Sequence, residues 1–419
     1  MVNLTYLFRE DDVAIIDPIR RVWYFTNKQG LRIWQERESD LANLAKKENV
    51  TIEEILDYLE DVQDTLYGEV EYATPIRGAS IHVSNKCNLK CSYCRYSCTN
   101  SDYPVVSPKN IDWFLDELSK EDTKSITITG GEPLLEWGVV QDIIEKSKIR
   151  GIVNFGILTN GLVNLSNEQL LFLANNKVSL QVSLDSLKDD VNYMLRGVAS
   201  SAVQRKIIEM LNCGIECRIS MVLTRYNVKE VEDMIDWCLR HNLLGLHFVF
   251  LERGGRASDF WEKYVLLEDE LISVFSKCLD LWCEGKVPEA FFNEFYRIKQ
   301  TVLEPHMMHT CNAAINNCCL APSGIYPCTN FVDNHQMKLG EVGHLPLSEI
   351  KNRFDTVNRF NYQKQDDCRL CDFGWLCCGG CIDRYQLMDD NKDPYCEVLK
   401  FMYKTIFWHT LRQEERGTQ

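Results

Sequence analysis

The first part of the chain alternates short apolar runs with charged residues and then changes to helical spacing. The apolar runs, which predict β-strands, are 6–8, 13–16 and 22–25. The stretches with apolar residues at helical spacing are 30–36, 40–47 and 51–66. Thr51, with Glu54 three positions later, is typical of a capped helix start. Three strands followed by three helices predict a small domain over residues 1–75.

A second pattern, made of repeated strand–helix units, runs from about residue 76 to 258. The apolar runs that predict its strands are 78–84, 125–129, 154–158, 179–183, 216–222 and 245–250. The helical stretches between them include 111–120 and 231–239. Repeated βα units predict a parallel sheet covered by helices, an α/β fold with its functional residues at the carboxyl ends of the strands. The remaining predicted segments are a helical connector over 259–305, a cysteine-dense region over 306–398 and a C-terminal helix over 399–419.

Composition narrows the class of protein. The 419 residues are enough for two or three domains, and 45% hydrophobic and 26% charged residues are typical of a soluble globular chain. No apolar run is long enough to cross a membrane, and the N-terminus turns acidic too early for a signal peptide. We therefore expect a cytoplasmic protein with no membrane partner. In a reducing compartment, nineteen cysteines favour metal or redox chemistry over disulfides.

Three cysteines with the spacing C-x3-C-x2-C, Cys87, Cys91 and Cys94, follow the first strand of the repeated units. Three thiolates leave one iron of a 4Fe–4S cluster without a protein ligand. An iron of that kind can bind a reactive cofactor and pass it an electron. The alternatives are a zinc knuckle or three cysteines packed in the core.

The cysteine triad resembles the radical S-adenosylmethionine (SAM) enzymes, in which SAM chelates the open iron. Tyr93, just before the last cysteine, also matches that family. The resemblance implies a partial (β/α)6 barrel over residues 76–258. It further implies that one electron from the cluster cleaves SAM, and that the resulting 5′-deoxyadenosyl radical abstracts hydrogen from an unactivated carbon.

A second mark of that family, the segment Thr129–Pro133 with Gly130, Gly131 and Glu132, follows the second barrel strand. Glycines let backbone approach a ligand closely, and the resemblance implies that this segment contacts the SAM amino group. The other residues that it implies for SAM binding are Asn160, Ser183, Asp185 and Arg196. For each of these polar residues taken singly, a helix cap or turn is the alternative.

Two further features stay open at this point. Gly254-Gly255-Arg256 follows the last predicted barrel strand and is either a segment near SAM or a plain turn. Cys98 lies four residues beyond Cys94 and either faces the site or is an ordinary buried thiol.

The cysteines near the C-terminus resemble the SPASM domain, which binds two auxiliary 4Fe–4S clusters. The resemblance implies that the outer cluster is held by Cys368, Cys371, Cys377 and Cys396. For the inner cluster it implies Cys311, Cys328 and Cys381, with Cys318 or Cys319 as the fourth ligand or with one iron open. Three residues separate Gly324 from Cys328, where the family usually has four. A tetrahedral zinc site is the alternative.

The N-terminal pattern resembles the winged-helix-like domain that binds precursor peptides in peptide-modifying radical SAM enzymes. A winged helix is more often a DNA reader. However, residues 1–75 carry eight basic and sixteen acidic side chains, and the whole chain has a net charge of −15. That is the wrong sign for phosphate contacts, so no nucleic-acid partner is expected.

Together the resemblances imply a maturase that installs a thioether or carbon–carbon crosslink in a ribosomally made precursor peptide. The peptide's leader would bind residues 1–75, and a flavodoxin or ferredoxin would supply electrons. The alternatives among enzymes are sulfatase-maturating-type oxidation of a Cys or Ser in a protein partner, and peptide epimerisation. Outside enzymes, the alternative is an iron–sulfur electron carrier or a peptide-binding scaffold.

Overall fold

A large, mainly parallel sheet forms the centre of the molecule. The computed structural model describes residues 4–69, 76–121, 123–305, 313, 316–332, 334–350, 366–387 and 392–417. The strands are β1 Thr5–Arg9, β2 Asp12–Asp17, β3 Val22–Asn27, β4 Gly78–His82, β5 Ser125–Thr129, β6 Asn154–Thr159, β7 Ser179–Ser183, β8 Cys217–Leu223, β9 Leu246–Phe250, β10 Asn317–Ala321 and β11 Gly324–Tyr326. Strands β4 to β9 are parallel neighbours in chain order. This confirms the predicted α/β fold with a parallel sheet.

Helices separate the parallel strands and cover the sheet. The helices are α1 Lys28–Gln35, α2 Leu41–Glu48, α3 Ile52–Tyr67, α4 Pro108–Lys120, α5 Trp137–Ile149, α6 Asn167–Asn175, α7 Asp189–Arg196, α8 Ser200–Asn212, α9 Val231–Arg240, α10 Ala257–Tyr264, α11 Glu268–Cys283, α12 Asn293–Leu303, α13 Asp366–Arg369, α14 Gly374–Cys377, α15 Ile382–Leu387 and α16 Cys396–Gly417. In the described part of the chain, no helix combines the length and the apolar character needed to span a bilayer.

The two faces of the barrel sheet have different surroundings. In β9, Phe248 and Phe250 are buried and pack against Phe275 of α11, with ring centroids 5.4 and 5.8 Å away. The alternate residues His247 and Val249 are half-buried. Because successive side chains of a strand point to opposite faces and the helices cover the outer face, these two residues lie on the inner face.

The N-terminal strands form a separate antiparallel sheet in the order β1-β2-β3, followed by α1, α2 and α3. Thr51 and Glu54 form the capping box that the sequence predicts for α3. This sheet packs against the C-terminal part of the chain through Trp23. Its Nε1 donates to the Val302 carbonyl oxygen at 2.7 Å, and its ring meets Phe407 edge-on at 6.2 Å.

A hairpin from the cysteine-dense region extends the barrel sheet, which the sequence pattern did not predict. β10 pairs in parallel with β4, and β11 pairs antiparallel with β10. Cys318 is in register with Ala79, and Cys319 is in register with Ser80. The hairpin therefore brings the C-terminal cysteine region to the same sheet edge as the strand that leads into the cysteine triad.

Candidate functional site

The cysteine triad lies on the loop after β4, held at several points by other elements. The Ser92 backbone N–H and hydroxyl both donate to the Leu195 carbonyl oxygen, at 2.9 and 3.0 Å. Burial raises the pKa of the Cys87 thiol to about 11, and Glu132, Cys91 and Cys94 add to the rise through their charges. Cys91, Cys94 and Glu132 therefore all lie within electrostatic reach of Cys87.

Cys98 is buried beside Cys94, the last cysteine of the triad. Its side chain hydrogen-bonds the Cys94 sulfur, and this contact lowers the pKa of the Cys94 thiol to about 6. A lowered pKa favours the thiolate, which is the form of cysteine that binds metals.

The glycines after β5 allow two backbone segments to meet. The Gly131 N–H donates to the Ser84 carbonyl oxygen, and the Glu132 N–H donates to the Lys86 carbonyl oxygen, both at 2.8 Å. A Cβ atom on Gly130 would come within 2.5 Å of the Ser84 oxygen, and one on Gly131 within 2.5 Å of the Lys86 oxygen. The sequence predicted that the glycines admit a ligand. The structure shows that they also admit the backbone that leads into Cys87.

Glu132 is 1% exposed and ties the end of β5 to the end of β6. Its carboxylate accepts hydrogen bonds from the Asn160 N–H at 2.7 Å, the Thr159 hydroxyl at 2.8 Å and the Leu134 N–H at 3.1 Å. Burial raises its pKa to about 7. A buried carboxylate with this pKa is suited to pair with a ligand's ammonium group.

Asn160 lies directly against the cysteine loop. Its amide Nδ2 donates to Asn88 Oδ1 at 2.7 Å and lies 3.9 Å from the Cys87 sulfur. Its Oδ1 accepts from the Leu162 N–H at 2.9 Å, which fixes the turn after β6. The predicted site residues Glu132 and Asn160 are therefore brought together with Cys87.

Tyr93, Asp185 and Arg196 form a buried cluster beside the loop. Arg196 Nη1 donates to the Tyr93 hydroxyl at 2.6 Å and lies 3.5 Å from Asp185 Oδ2, and the Tyr93 hydroxyl also bonds the Asp185 carboxylate. In the described part of the chain, Arg196 Nε is buried without a hydrogen-bond partner. A buried N–H of this kind fits a ligand carboxylate that supplies the missing acceptor.

Ser183 is the remaining residue that the sequence analysis assigned to SAM binding. It is half-buried at the end of β7, where it is in register with Ser220 of β8. Asp185, two residues later, instead accepts the Val222 N–H at 2.9 Å and so joins the ends of β7 and β8.

Gly254-Gly255-Arg256 holds the outside of the cysteine loop. Arg256 donates from Nε to the Cys91 carbonyl oxygen at 2.8 Å and from Nη1 to the Cys98 carbonyl oxygen at 2.9 Å. Gly255 has a φ of +52°, and a Cβ atom there would come within 2.1 Å of the Arg95 carbonyl oxygen. This segment is therefore part of the site's framework rather than a plain turn.

Four C-terminal cysteines are among the residues that line one cavity of about 270 Å³. The cysteines that line it are Cys368, Cys371, Cys377 and Cys396. These are the four residues that the sequence analysis grouped for the outer cluster. The cavity is large enough for a multi-atom group, and four soft thiolate donors suit iron–sulfur chemistry.

The residues grouped for the inner cluster are only partly described. Cys311 lies outside the described residues. Cys318 and Cys319 are both buried on β10, and adjacent strand residues face opposite sides of a sheet. Cys319 shares the face of Ser80, and Cys319 and Cys328 both contribute to raising the pKa of Tyr96, whose largest cause is burial. This places Cys319 nearer than Cys318 to the cysteine loop.

Sequence reasoning missed a polar cluster that joins the two cysteine regions. Arg95 donates from Nη1 to Glu252 Oε2 at 3.1 Å and from Nη2 to the Asn330 carbonyl oxygen at 2.8 Å, and it also bonds Asp383. Each partner is distant in sequence from Arg95. Asn330 and Asp383 each lie two residues after a cysteine, Cys328 and Cys381, and this spacing is a sequence signal that could have suggested them.

The fold and these side chains define a class of enzyme: an α/β barrel that holds three thiols, a buried carboxylate and an arginine near the ends of its strands. Residues 81–238 match the model of the Radical SAM superfamily. This part of the chain is therefore similar to radical SAM domains.

Sequence relatives share mainly this domain. A GTP 3′,8-cyclase of Staphylococcus epidermidis (strain RP62A) is 28% identical over 207 residues, which cover 47% of this chain and 61% of that protein. The match thus spans less than two thirds of that relative. An uncharacterised protein of Archaeoglobus fulgidus is 23% identical over 368 residues, 83% of this chain and 86% of that protein.

Two solved structures share the fold over more of the chain. Native anSMEcpe with bound AdoMet and Cp18Cys peptide has a TM-score of 0.66 and 19% identity, covering 81% of this chain and 98% of that one. Streptococcus suis SuiB bound to precursor peptide SuiA has a TM-score of 0.62 and 15% identity, covering 94% of this chain and 100% of that one. At these identities the likeness shows the fold alone.

Proposed function

We propose that this protein matures a ribosomally made precursor peptide by installing a thioether or carbon–carbon crosslink. Residues 1–75 would bind the leader, the radical SAM domain would act on the core segment, and the C-terminal cysteines would hold two auxiliary clusters. A cytoplasmic location and electron supply from a flavodoxin or ferredoxin are part of the proposal.

The observation that carries the proposal is the extent of the SuiB likeness. A match over 94% of 419 residues leaves only about 25 residues outside it, so it has to include most of the N-terminal sheet and helices. The anSMEcpe match at 81% leaves about 80 residues outside. SuiB was solved with a precursor peptide, and this favours a precursor peptide as the substrate class here.

The N-terminal sheet has two edges suited to a peptide. Among the described residues, β1 and β3 each pair only with β2, so each has one open edge. An extended peptide can add to such an edge through main-chain hydrogen bonds. The net charge of −8 over residues 1–75 favours a leader that carries lysine or arginine. Leader binding would raise the effective concentration of the core segment at the barrel.

The residues of the radical SAM domain have distinct proposed tasks. Cys87, Cys91 and Cys94 would hold the cluster, and SAM bound there supplies a 5′-deoxyadenosyl radical. Glu132 would accept the SAM ammonium group, and the unpaired Nε–H of Arg196 would donate to its carboxylate. Tyr93 and Asp185 would hold Arg196 in place, while Asn160 would position the cluster loop and line the site. Ser183 is proposed to face the SAM ribose from the end of β7.

Mass spectrometry of a candidate precursor peptide, sought among short reading frames beside the gene, tests this function. The peptide is incubated anaerobically with the iron-loaded enzyme, SAM and dithionite. A product lighter by two hydrogens, located by fragment ions, is expected for a crosslink. The variant with Cys87, Cys91 and Cys94 changed to alanine is the control, and it should form neither product nor 5′-deoxyadenosine.

Other outcomes separate the alternatives. If the peptide keeps its mass in ordinary water but takes up deuterium in heavy water, the reaction is epimerisation and not crosslinking. A two-hydrogen loss confined to one Cys or Ser would favour the sulfatase-maturating type of oxidation. SAM cleavage with the peptide untouched would overturn the peptide assignment.

A further inference from the structure

A row of polar side chains crosses the inner face of the barrel. Ser183 at the end of β7 is in register with Ser220 of β8, and Ser220 is in register with His247 of β9. Ser183, Ser220 and His247 are all half-buried. Their immediate neighbours within the same strands are buried. Neighbouring strands lie about 4.8 Å apart, so the row extends roughly 10 Å from Ser183 to His247.

The far end of this row is a histidine–carboxylate pair. His247 Nδ1 contacts Glu294 Oε1 from the start of α12, and the Asn293 amide lies 3.3 Å from the same nitrogen. The Glu294 carboxylate also accepts the Phe248 N–H at 3.3 Å, which fixes it against β9. We assign the proton of the neutral ring to Nδ1, because Glu294 Oε1 beside it is buried and has no other hydrogen-bond partner in the described part of the chain.

With its proton on Nδ1, the His247 ring has Nε2 available as a proton acceptor. In the described part of the chain, no hydrogen bond engages His247 Nε2, and 23% of the side chain is exposed. A further charged group near the pair is Arg218 of β8, which donates to the Ala290 and Phe291 carbonyl oxygens at 2.9 and 3.0 Å. Glu294 also acts electrostatically on Arg218.

We propose that His247 Nε2 accepts the proton that the peptide loses when the crosslink forms, and that Glu294 positions the ring and stabilises its charge. This inference rests on the proposed function. The substrate C–H bond breaks as its hydrogen atom leaves with the deoxyadenosyl radical. The carbon radical then bonds to a second side chain, whose S–H or C–H bond breaks. The proton goes to Nε2, and one electron goes to an oxidised iron–sulfur cluster.

The pair is placed for this task by its relation to the SAM residues. Asp185 follows Ser183 by two residues and is bonded to Arg196 and Tyr93, so the near end of the row adjoins the proposed SAM site. His247 lies two strands away on the same face. A peptide residue seated over Ser220 would have the radical source on one side and the proton acceptor on the other.

The test is His247→Gln, with His241→Gln as the matched control. His241 lies at the end of α9, on the helical layer outside the sheet, where Nδ1 contacts the Trp237 carbonyl oxygen at 2.9 Å. We expect His247→Gln to lower the rate of crosslinked product by about 100-fold, since general bases contribute at least that factor. SAM cleavage without peptide and binding of the same fluorescently labelled peptide should stay within about twofold of wild type. The control variant His241→Gln should leave the product rate, SAM cleavage and peptide binding unchanged.

The pH profile separates proton transfer from a structural role. Wild-type product formation should fall on the acid side as the base becomes protonated, and this limb should be absent in His247→Gln. Glu294→Gln keeps the shape of the side chain but cannot stabilise an imidazolium, so it should lower the rate of crosslinked product and leave SAM cleavage without peptide unchanged.

Three results would overturn the inference. These are product formation by His247→Gln within about threefold of wild type, a loss of SAM cleavage equal to the loss of product, and an acid limb that survives in that variant. If wild-type enzyme cleaves SAM but leaves the peptide unmodified, the proposed function itself fails. The two failures are therefore distinguishable.

Discussion

Arg95, the residue after Cys94, forms a buried ion pair with Asp383, which lies two residues beyond Cys381. The side chains are 17% and 5% exposed, so the pair is shielded from water. Burial raises the pKa of Asp383 to about 6, and the charge of Arg95 opposes that rise. The side-chain amide of Asn330, two residues after Cys328, donates to the carboxylates of Glu252 and Asp383. The loop proposed to hold the SAM cluster is thus fastened directly to the region proposed to hold the auxiliary clusters.

Removing Arg95 should destabilise this junction. Arg95→Met keeps most of the volume but leaves Asp383 and Glu252 as two buried carboxylates without their cation. We expect the free energy of unfolding to fall by about 3 kcal/mol. Arg412→Met, which removes a partly exposed arginine from Asp12, is the control and should change it by less than about 1 kcal/mol. Guanidinium unfolding under anaerobic conditions measures both, and equal effects of the two variants would contradict the assignment.

Glu132 should make the cluster-free protein less stable as pH rises. Its pKa is about 7 in the folded protein, above the usual value of 4.5, so the folded state holds its proton more tightly than the unfolded state does. Between about pH 4.5 and 7 the folded state therefore binds more protons, and stability falls with rising pH by roughly 1 kcal/mol per unit. Glu132→Gln should remove this slope. Thermal unfolding of both proteins from pH 5 to 8 measures it, and parallel pH dependences would show that Glu132 does not titrate there.

Gly131 should tolerate no side chain. A Cβ atom there would approach the Lys86 carbonyl oxygen to 2.5 Å, so Gly131→Ala must displace the backbone that leads into Cys87. We expect SAM affinity to fall at least tenfold. Gly138→Ala is the matched control, because nothing lies within 4 Å of its added methyl group. Equilibrium binding of SAM to the two iron-loaded variants is the measurement, and normal binding by Gly131→Ala would show that the loop adapts.

The C-terminal cavity should hold its own cluster. Changing Cys368 and Cys396 together to alanine removes two of the four thiols that line it. Iron content should fall by about four atoms per chain, because a cluster with two protein ligands is lost as a unit. The matched control changes Cys213 and Cys283, which lie on the ends of α8 and α11, and should keep the full iron content. Bound zinc in place of iron would contradict the cluster assignment and support the alternative of a tetrahedral zinc site.

The sequence determined the local elements and the motifs that depend on close spacing. The predicted strand 125–129 matches β5 residue for residue, because the alternation of apolar residues reports which side of one short segment is buried. Cys87, Cys91 and Cys94 lie within eight positions of each other, so their proximity needs no knowledge of the fold. The same holds for the capping box of Thr51 and Glu54.

The tertiary structure alone decided which distant residues meet. Arg95 and Asp383 are 288 positions apart, and His247 and Glu294 are brought together by the packing of α12 against β9. The pairing of β10 with β4 likewise joins segments separated by more than 200 residues. Such contacts form because burying apolar faces repays the entropy of closing long loops. A pattern within one segment carries no information about its partner, and so the proposed proton acceptor becomes visible only in the folded barrel.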